Sequence, residues 1–198
     1  MTSVDDELAT RLADAEHERR AIPQLVAERQ DLDEPRRVGD LIHPRAEPEL
    51  VFLLGEDVEG PAATVAGVLR ATAGILPGLE LLDSRYEDFR FTLPDVIADN
   101  AGAARFLVGG HMLPADAFVV RPEGMVLRAS GAVMATAAGA AVSGRSAAAV
   151  AWLAKRVGRP EAGSIVFSGG LTAPVPPSPG VTVSAEYTHL GTVALGAV

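Results

Sequence analysis

Cysteine is absent from this chain of 198 residues, which excludes disulfides and thiolate metal sites. Lysine is nearly absent too, because Lys155 is the only one among 17 basic residues. No run of about 18 apolar residues is free of charges and helix breakers, so no membrane span is expected. The N-terminal stretch is acidic and unlike a secretory or transit signal, which makes a cytoplasmic location the expectation.

Positive charge is scarce relative to negative charge. The 17 basic residues face 26 acidic ones, which gives a formal net charge of -9. Binding of nucleic acid or of an anionic membrane surface requires clustered Lys and Arg, so neither partner is expected. Gly-x-Ser-x-Gly, Walker A and Gly-x-Gly-x-x-Gly motifs are also missing, which leaves triad hydrolases, P-loop enzymes and dinucleotide-binding enzymes without support.

Apolar residues, in contrast, make up 48% of the chain, enough for a sizeable core. Residues 3–30 have a helical pattern of Leu and Ala, broken at Pro23, and a polar connection follows. We therefore predict an N-terminal helical arm over residues 1–35 and a folded domain over residues 36–198. In that domain helices come mostly early and strands mostly late, which predicts an α+β fold with a β-rich core.

Local patterns predict the main elements of the domain. A short apolar run at Leu50–Leu54 predicts a buried strand, and the helical pattern that follows should end at Gly74. Ser130-Gly131 lies between two alternating segments and predicts a hairpin. A later helix should begin with Ser146 as its N-cap and end at Gly158.

Two glutamates flank a proline where the first strand begins. In a strand, residues i and i+2 point to the same side, so Glu47 and Glu49 should project together with Cβ atoms about 7 Å apart. Two unpaired like charges at about 4 Å cost about 4 kcal/mol at an effective dielectric near 20. Solvent, an arginine, a shared proton or a metal ion must offset that cost.

An exposed, solvated strand edge is one interpretation of this pair, and Pro48 favours it. A second interpretation is a site where carboxylates converge. It is favoured by the neighbouring apolar run, by the nearby Arg45 and by a third carboxylate, Glu80. Glu80 lies in the apolar segment "ILPGLELLD", where a lone carboxylate is costly to bury. Three convergent carboxylates without Cys or His form a hard oxygen site, which suits Mg²⁺ or Mn²⁺ better than zinc.

Longer motifs carry a family resemblance. The segments "PRAEPELVFLLGEDVEGP", "LPGLELLDSRYEDFRFTLPDVIADN", "RFLVGG" and "SGGLT" resemble the 2-keto-4-pentenoate hydratase / 2-oxo-3-hexenedioate (4-oxalocrotonate) decarboxylase family. That family belongs to the fumarylacetoacetate hydrolase-like superfamily. The resemblance implies a mixed β-roll of the fumarylacetoacetate hydrolase C-terminal type, and Mg²⁺ or Mn²⁺ held by Glu47, Glu49 and Glu80.

The resemblance also implies a lyase that acts on short 2-keto or 2-hydroxydienoic acids from catechol meta-cleavage. The C-terminal segment resembles the decarboxylase branch more than the hydratase branch. "SGGLT" could offer backbone N–H groups at Gly170 and the Thr172 hydroxyl to a substrate carboxylate. Arg85 could meet a substrate carboxylate or pair with Asp83 or Glu87. No residue is identified as the catalytic acid or base.

One departure from the family keeps other functions open. Family members carry a segment with a Lys-x-Gly-Leu-Thr-like motif before the Glu-x-Glu strand, and here "RRVGDLIHPR" follows the arm directly. The alternatives are a C–C hydrolase or isomerase on the same metal platform, or a shortened, weakly active or inactive paralogue that acts as a structural partner. Apolar surface left by a missing lid segment predicts a homo-oligomer, and a hydratase or decarboxylase paralogue is an alternative partner for the same surface.

Overall fold

A computed structural model describes residues 40–197 and contains two four-stranded sheets. The predicted arm over residues 1–35 lies outside the described residues. The first sheet has the strand order β3-β2-β1-β6 and the second has the order β5-β4-β7-β8. All strand pairs in both sheets are antiparallel. The strands are β1 (Arg45–Leu54), β2 (Thr72–Leu82), β3 (Ala103–Val108), β4 (Gly124–Ala129), β5 (Ala132–Ala138), β6 (Ile165–Phe167), β7 (Thr182–Tyr187) and β8 (Gly191–Gly196).

Strand β1 begins earlier than the apolar run predicted, at Arg45 rather than Leu50. Pro48 lies inside it, opposite Leu79 of β2. The Pro48 carbonyl accepts a hydrogen bond from the Leu171 N–H, so the Pro48 nitrogen faces that segment and costs the β1–β2 ladder no bond. Proline is therefore tolerated in β1, and both glutamates become part of a regular strand.

Three α-helices accompany the sheets: α1 (Val65–Ala71), α2 (Leu93–Ala98) and α3 (Ser146–Val157). Helix α1 ends at Ala71 instead of Gly74, because the chain passes directly into β2 at Thr72. Helix α3 ends at Gly158 as predicted, with a φ of 95° that suits glycine. The N-cap prediction for Ser146 is wrong: Ser146 is the first helical residue, and its hydroxyl donates to the Gly139 carbonyl.

A single core joins the two sheets and two of the helices. Helix α3 contributes Ala147, Val150, Ala151 and Ala154, whose spacing places them on one face. The predicted hairpin is present, since Ser130 and Gly131 both have positive φ between β4 and β5. The predicted α+β class with a β-rich core is confirmed. Within residues 40–197, no helix is long and apolar enough to cross a membrane.

Candidate metal centre

The register between β1 and β2 brings the three predicted glutamates together. Glu47 lies directly opposite Glu80, and Glu49 lies opposite Gly78 on the same face of the sheet. Each glutamate offers a carboxylate oxygen, and these three oxygens lie within 4.8 Å of one another. The convergence expected from the sequence is therefore present, including the residue that is distant along the chain.

A glycine segment after β6 supports two of the three carboxylates. The Gly169 N–H donates to a carboxylate oxygen of Glu49 at 2.7 Å. A Cβ atom added to Gly170 would lie 2.1 Å from Glu47 Oε1, which is closer than van der Waals contact allows. Only glycine therefore leaves room for the Glu47 carboxylate at this position. The segment is held against β1 by N–H bonds from Ser168 to the Leu50 carbonyl and from Leu171 to the Pro48 carbonyl.

The backbone at Glu49 is also fixed from the second sheet. The Tyr187 hydroxyl donates to the Glu49 carbonyl at 2.7 Å, and Tyr187 is buried. Burial raises the pKa of Tyr187, and the nearby Glu49 carboxylate raises it further, so this hydroxyl keeps its proton. The bond joins the end of β7 to the strand that carries two of the glutamates.

The electrostatics of the cluster disfavour three free negative charges. Burial, followed by repulsion from Glu80, raises the pKa of Glu47 from 4.5 to about 7. Burial and the Glu80 charge also raise the pKa of Glu49, and burial raises the pKa of Glu80. Among residues 40–197, no basic side chain lies within ion-pair distance of the three carboxylates. Arg45, which the sequence suggested as a counter-charge, instead lies 4.1 Å above the Phe89 ring.

The donor set fits a hard divalent cation. All three groups are carboxylates, the ligand type that Mg²⁺ and Mn²⁺ prefer. Adjacent oxygens on one octahedral Mg²⁺ at about 2.1 Å are about 3.0 Å apart, so carboxylate oxygens that now lie within 4.8 Å of one another need to approach by at most about 1.8 Å. A cation would also provide the positive charge that the surrounding side chains do not supply.

The other predicted site residues have different surroundings. Arg85 pairs with Asp99, not with Asp83 or Glu87, and donates to the Asp99 carbonyl at 3.0 Å. The Thr172 hydroxyl donates to the Ala173 carbonyl at 3.1 Å, and Gly170 lies against Glu47. Contact of Arg85, Gly170 or Thr172 with a substrate stays a prediction. The sole lysine, Lys155, is exposed on helix α3.

Three features of the site were not identified from the sequence. The predicted role of "SGGLT" was to hold a substrate carboxylate, whereas the Gly169 N–H binds a carboxylate of the protein itself. No sequence signal marked Tyr187 or Gly78 as part of the site, because the residues that each contacts lie far away along the chain. The Ser-Gly-Gly run after a predicted strand was the one usable sign, because adjacent glycines permit a close approach of backbone to side chain.

Comparison with known proteins finds curated relatives among decarboxylases and hydratases. No protein-family model matches the chain. The chain is 40% identical over 158 residues to the 4-oxalocrotonate decarboxylase of Pseudomonas sp. (strain CF600), an alignment that covers 78% of this chain and 60% of that protein. It is 34% identical over 163 residues to the 2-hydroxyhexa-2,4-dienoate hydratase of Comamonas testosteroni, covering 80% of this chain and 62% of the relative.

A solved structure agrees with both alignments. The 4-oxalocrotonate decarboxylase from Pseudomonas putida G7, complexed with magnesium and adipate, superposes with a TM-score of 0.78 at 36% identity. The match covers 81% of this chain and 62% of that enzyme. The chain thus spans about 60% of the length of the curated relatives it matches. The predicted fumarylacetoacetate hydrolase-like fold is confirmed by these structural matches.

Proposed function

Because the chain is a relative of the 4-oxalocrotonate decarboxylases and 2-hydroxydienoate hydratases, we propose that it is a divalent-metal-dependent lyase. Its substrates would be short 2-keto or 2-hydroxydienoic acids, and its reaction would be decarboxylation or hydration. The observation that carries the proposal is the three-carboxylate cluster of Glu47, Glu49 and Glu80, with Glu49 buried, the other two partly buried, and no ion-paired basic side chain among residues 40–197.

The proposed metal ligands are Glu47, Glu49 and Glu80, and the proposed ion is Mg²⁺ or Mn²⁺. When bound, such an ion supplies a Lewis acid for the carboxylate and 2-oxo oxygens of the substrate, the charge stabilisation that both reactions need. The chain contributes fixed positions for its ligands. Gly169 holds Glu49 by a backbone bond, and Gly170 leaves the space that Glu47 occupies.

The cluster also links the proposed chemistry to proton release. Glu47 has a pKa of about 7 and Glu49 and Glu80 have raised pKa values, so the metal-free cluster retains protons near neutral pH. Metal binding requires the ionised carboxylates and must displace those protons. The proposal therefore includes a site that exchanges protons for a cation as it is loaded.

Substrate contacts and surroundings are further parts of the proposal. Gly170 and Thr172 lie on the segment beside the cluster and would face the carboxylate of a bound acid. Arg85, whose side chain is 62% exposed despite its Asp99 partner, would be available to a second anionic group. A cytoplasmic location, a homo-oligomer and pairing with a hydratase or decarboxylase paralogue remain predictions. Light scattering that reports a stable monomer would contradict the second of these.

Turnover tests the proposal directly. The purified chain is mixed with 2-hydroxymuconate, or its 2-oxo-3-hexenedioate tautomer, and separately with 2-hydroxypenta-2,4-dienoate, while the absorbance of each is followed. We expect loss of absorbance with Mg²⁺ or Mn²⁺, abolished by EDTA and by Glu80→Gln, and capture of released CO₂ separates decarboxylation from hydration. Absence of metal-dependent turnover of either acid would contradict a lyase.

The alternative functions give different outcomes in the same experiment. A chain that is stabilised by Mg²⁺ yet inert toward both acids is the outcome expected of a structural partner. If activity then appears when a full-length decarboxylase or hydratase is added, that interpretation is supported. Rearrangement or cleavage of a longer 2-oxo acid without hydration or CO₂ release would indicate an isomerase or a C–C hydrolase on the same site.

A further inference from the structure

A cavity of about 170 Å³ lies immediately beside the proposed metal centre. Glu80 lines both the cavity and the three-carboxylate cluster. The other lining residues come from the two edge strands of the first sheet, β3 and β6: Ala103, Ala104, Arg105, Phe106, Ile165 and Phe167. The cavity therefore starts at one proposed metal ligand and extends across mainly apolar surface.

Two phenylalanines from opposite edges of the first sheet, Phe106 of β3 and Phe167 of β6, contact each other above the central strands. The rings of Phe106 and Phe167 lie 5.2 Å apart, centroid to centroid, at an angle of 61°. They meet because Gly78 has no side chain: a Cβ at Gly78 would lie 2.9 Å from the Phe167 ring and 2.4 Å from Val51. The edge-to-face contact holds both rings in place and makes them a rigid wall.

The register of β3 decides which of its side chains lie on the same face of the sheet as Glu80. Phe106 lies opposite Glu80 and shares its face of the sheet, whereas Arg105 lies opposite Leu81, which belongs to the core. Glu47, Glu49 and Glu80 form the polar part of that face, and the lining side chains that β3 and β6 add to it are apolar. Such a surface gains free energy by covering hydrocarbon and offers no fixed partner for a polar group.

We propose that this cavity receives the distal hydrocarbon part of the substrate, and that Phe106 and Phe167 limit its length. This inference rests on the proposed function, in which the acid and 2-oxo groups lie at the cluster. The remaining carbons must then leave the cluster past Glu80, where the cavity begins. Its volume is about ten times the 10–15 Å³ of such space that a single water molecule needs, which suits a chain of a few carbons.

The substrates named for the related enzymes differ in the length of their carbon chains, so a wall that limits this length would select among them. The names of curated relatives include hydratases of a 2-hydroxypentadienoate, a 2-hydroxyhexadienoate and a 2-oxo-heptenedioate. These acids differ at the end that does not carry the 2-oxo group. An apolar pocket discriminates each added methylene by about 10-fold or more when its wall is rigid.

Binding of saturated 2-oxo acids tests the inference without requiring turnover. Pyruvate, 2-oxobutanoate, 2-oxopentanoate, 2-oxohexanoate and 2-oxoheptanoate are titrated calorimetrically into the protein in saturating Mg²⁺. We expect affinity to rise about fourfold with each methylene that enters the cavity, and to stop rising or to fall at the longer acids. In Phe167→Ala and Phe106→Ala the rise should continue to 2-oxoheptanoate.

Trp152→Ala is the matched control, because Trp152 is a 49% exposed aromatic residue on helix α3, away from the cavity. Trp152→Ala should keep the wild-type dependence of affinity on the length of the 2-oxo acid. If an alanine variant does not fold, Phe167→Leu replaces it in the titration. Pyruvate that binds with Mg²⁺ but an affinity independent of chain length overturns this inference alone. Identical profiles in the Phe167 and Trp152 variants also overturn it. If no 2-oxo acid binds, the proposed function fails, and the cavity's role fails with it.

Discussion

Two glutamates of this protein are equally buried and have opposite surroundings. Glu49 and Glu123 are each 1% exposed. Glu123 precedes β4 and accepts hydrogen bonds from the backbone N–H of His189 at 2.8 Å and of Leu190 at 3.4 Å. Its other oxygen lies 2.6 Å from His189 Nδ1. Glu49 receives one backbone donor, from Gly169, and has Glu47 and Glu80 as its charged neighbours.

The comparison shows that burial alone does not identify a functional carboxylate. A buried charge is tolerated when hydrogen-bond donors surround it. Glu123 has such donors in the backbone N–H groups of His189 and Leu190. The two carboxylates beside Glu49 add repulsion instead, and the pKa of Glu49 is raised by burial and by Glu80. Glu123 therefore stabilises the fold, whereas Glu49 is proposed to bind a cation, and substitutions at both residues separate the two roles.

Removing a proposed ligand should have the largest effect. Glu80→Gln or Glu49→Gln takes away one of three oxygen donors, so Mg²⁺ affinity measured by calorimetry should fall by more than the roughly 100-fold that loss of an outer-shell partner costs. Glu123→Gln is the matched control, because it changes an equally buried carboxylate outside the cluster. Equal losses of affinity in all three variants would remove the distinction.

The stability of the metal-free protein should depend more on Glu123 than on Glu49, the reverse of their order in metal affinity. Glu123→Gln leaves His189 without its charged acceptor, and the free energy of unfolding should fall by about 1–3 kcal/mol in urea titration. Glu49→Gln removes a buried carboxyl group that must take up a proton when the metal-free protein folds at pH 8, so its melting temperature at that pH should equal or exceed that of the wild type. A strongly destabilised Glu49→Gln protein would show that Glu49 is structural after all.

Gly170→Ala should weaken metal binding without removing any ligand. The added Cβ would lie 2.1 Å from Glu47 Oε1, so Glu47 has to move away from the cluster. We expect a 10- to 100-fold loss of Mg²⁺ affinity, the range typical of changes just outside the ligands. Gly110→Ala is the control, since a Cβ there meets nothing within 4 Å. Unchanged affinity in Gly170→Ala would mean that Glu47 is not a ligand.

The pH dependence is the smallest effect and has a definite sign. Between pH 4.5 and about 7 the folded protein keeps a proton on Glu47 that the unfolded chain has lost. The free energy of unfolding of the metal-free protein therefore falls as pH rises through this window. Mg²⁺ affinity should rise at least about tenfold from pH 6 to pH 8, because the ionised fraction of Glu47 increases by that factor and Glu49 and Glu80, whose pKa values are also raised, lose protons over the same interval. Affinity that falls over the same interval would contradict the assignment.

The three-carboxylate cluster could be predicted from the sequence because the signals for it are local. The two-residue spacing of Glu47 and Glu49 and the apolar context of Glu80 need no knowledge of the fold. The start of β1 was misplaced because a proline beside two charges resembles a strand edge. The structure explains why Pro48 fits: the Leu171 N–H donates to the Pro48 carbonyl, so the Pro48 nitrogen faces that segment and not β2.

Other parts of the site depend on contacts that no short stretch of sequence contains. Tyr187 reaches Glu49 across 138 positions, and Gly169 reaches it across 120. The meeting of Phe106 and Phe167 requires both the sheet order and the gap at Gly78. The partner of Arg85 was predicted from sequence proximity, whereas the actual partner, Asp99, lies 14 positions away.

Anomalous diffraction from crystals soaked in Mn²⁺ tests the central claim most directly. The account predicts one strong peak with carboxylate oxygens of Glu47, Glu49 and Glu80 all about 2.0–2.3 Å away. The peak should disappear in Glu80→Gln crystals and persist in Glu123→Gln crystals. Crystals that bind Mn²⁺ only elsewhere, or that leave the three carboxylates without an ion at saturating Mn²⁺, would contradict it.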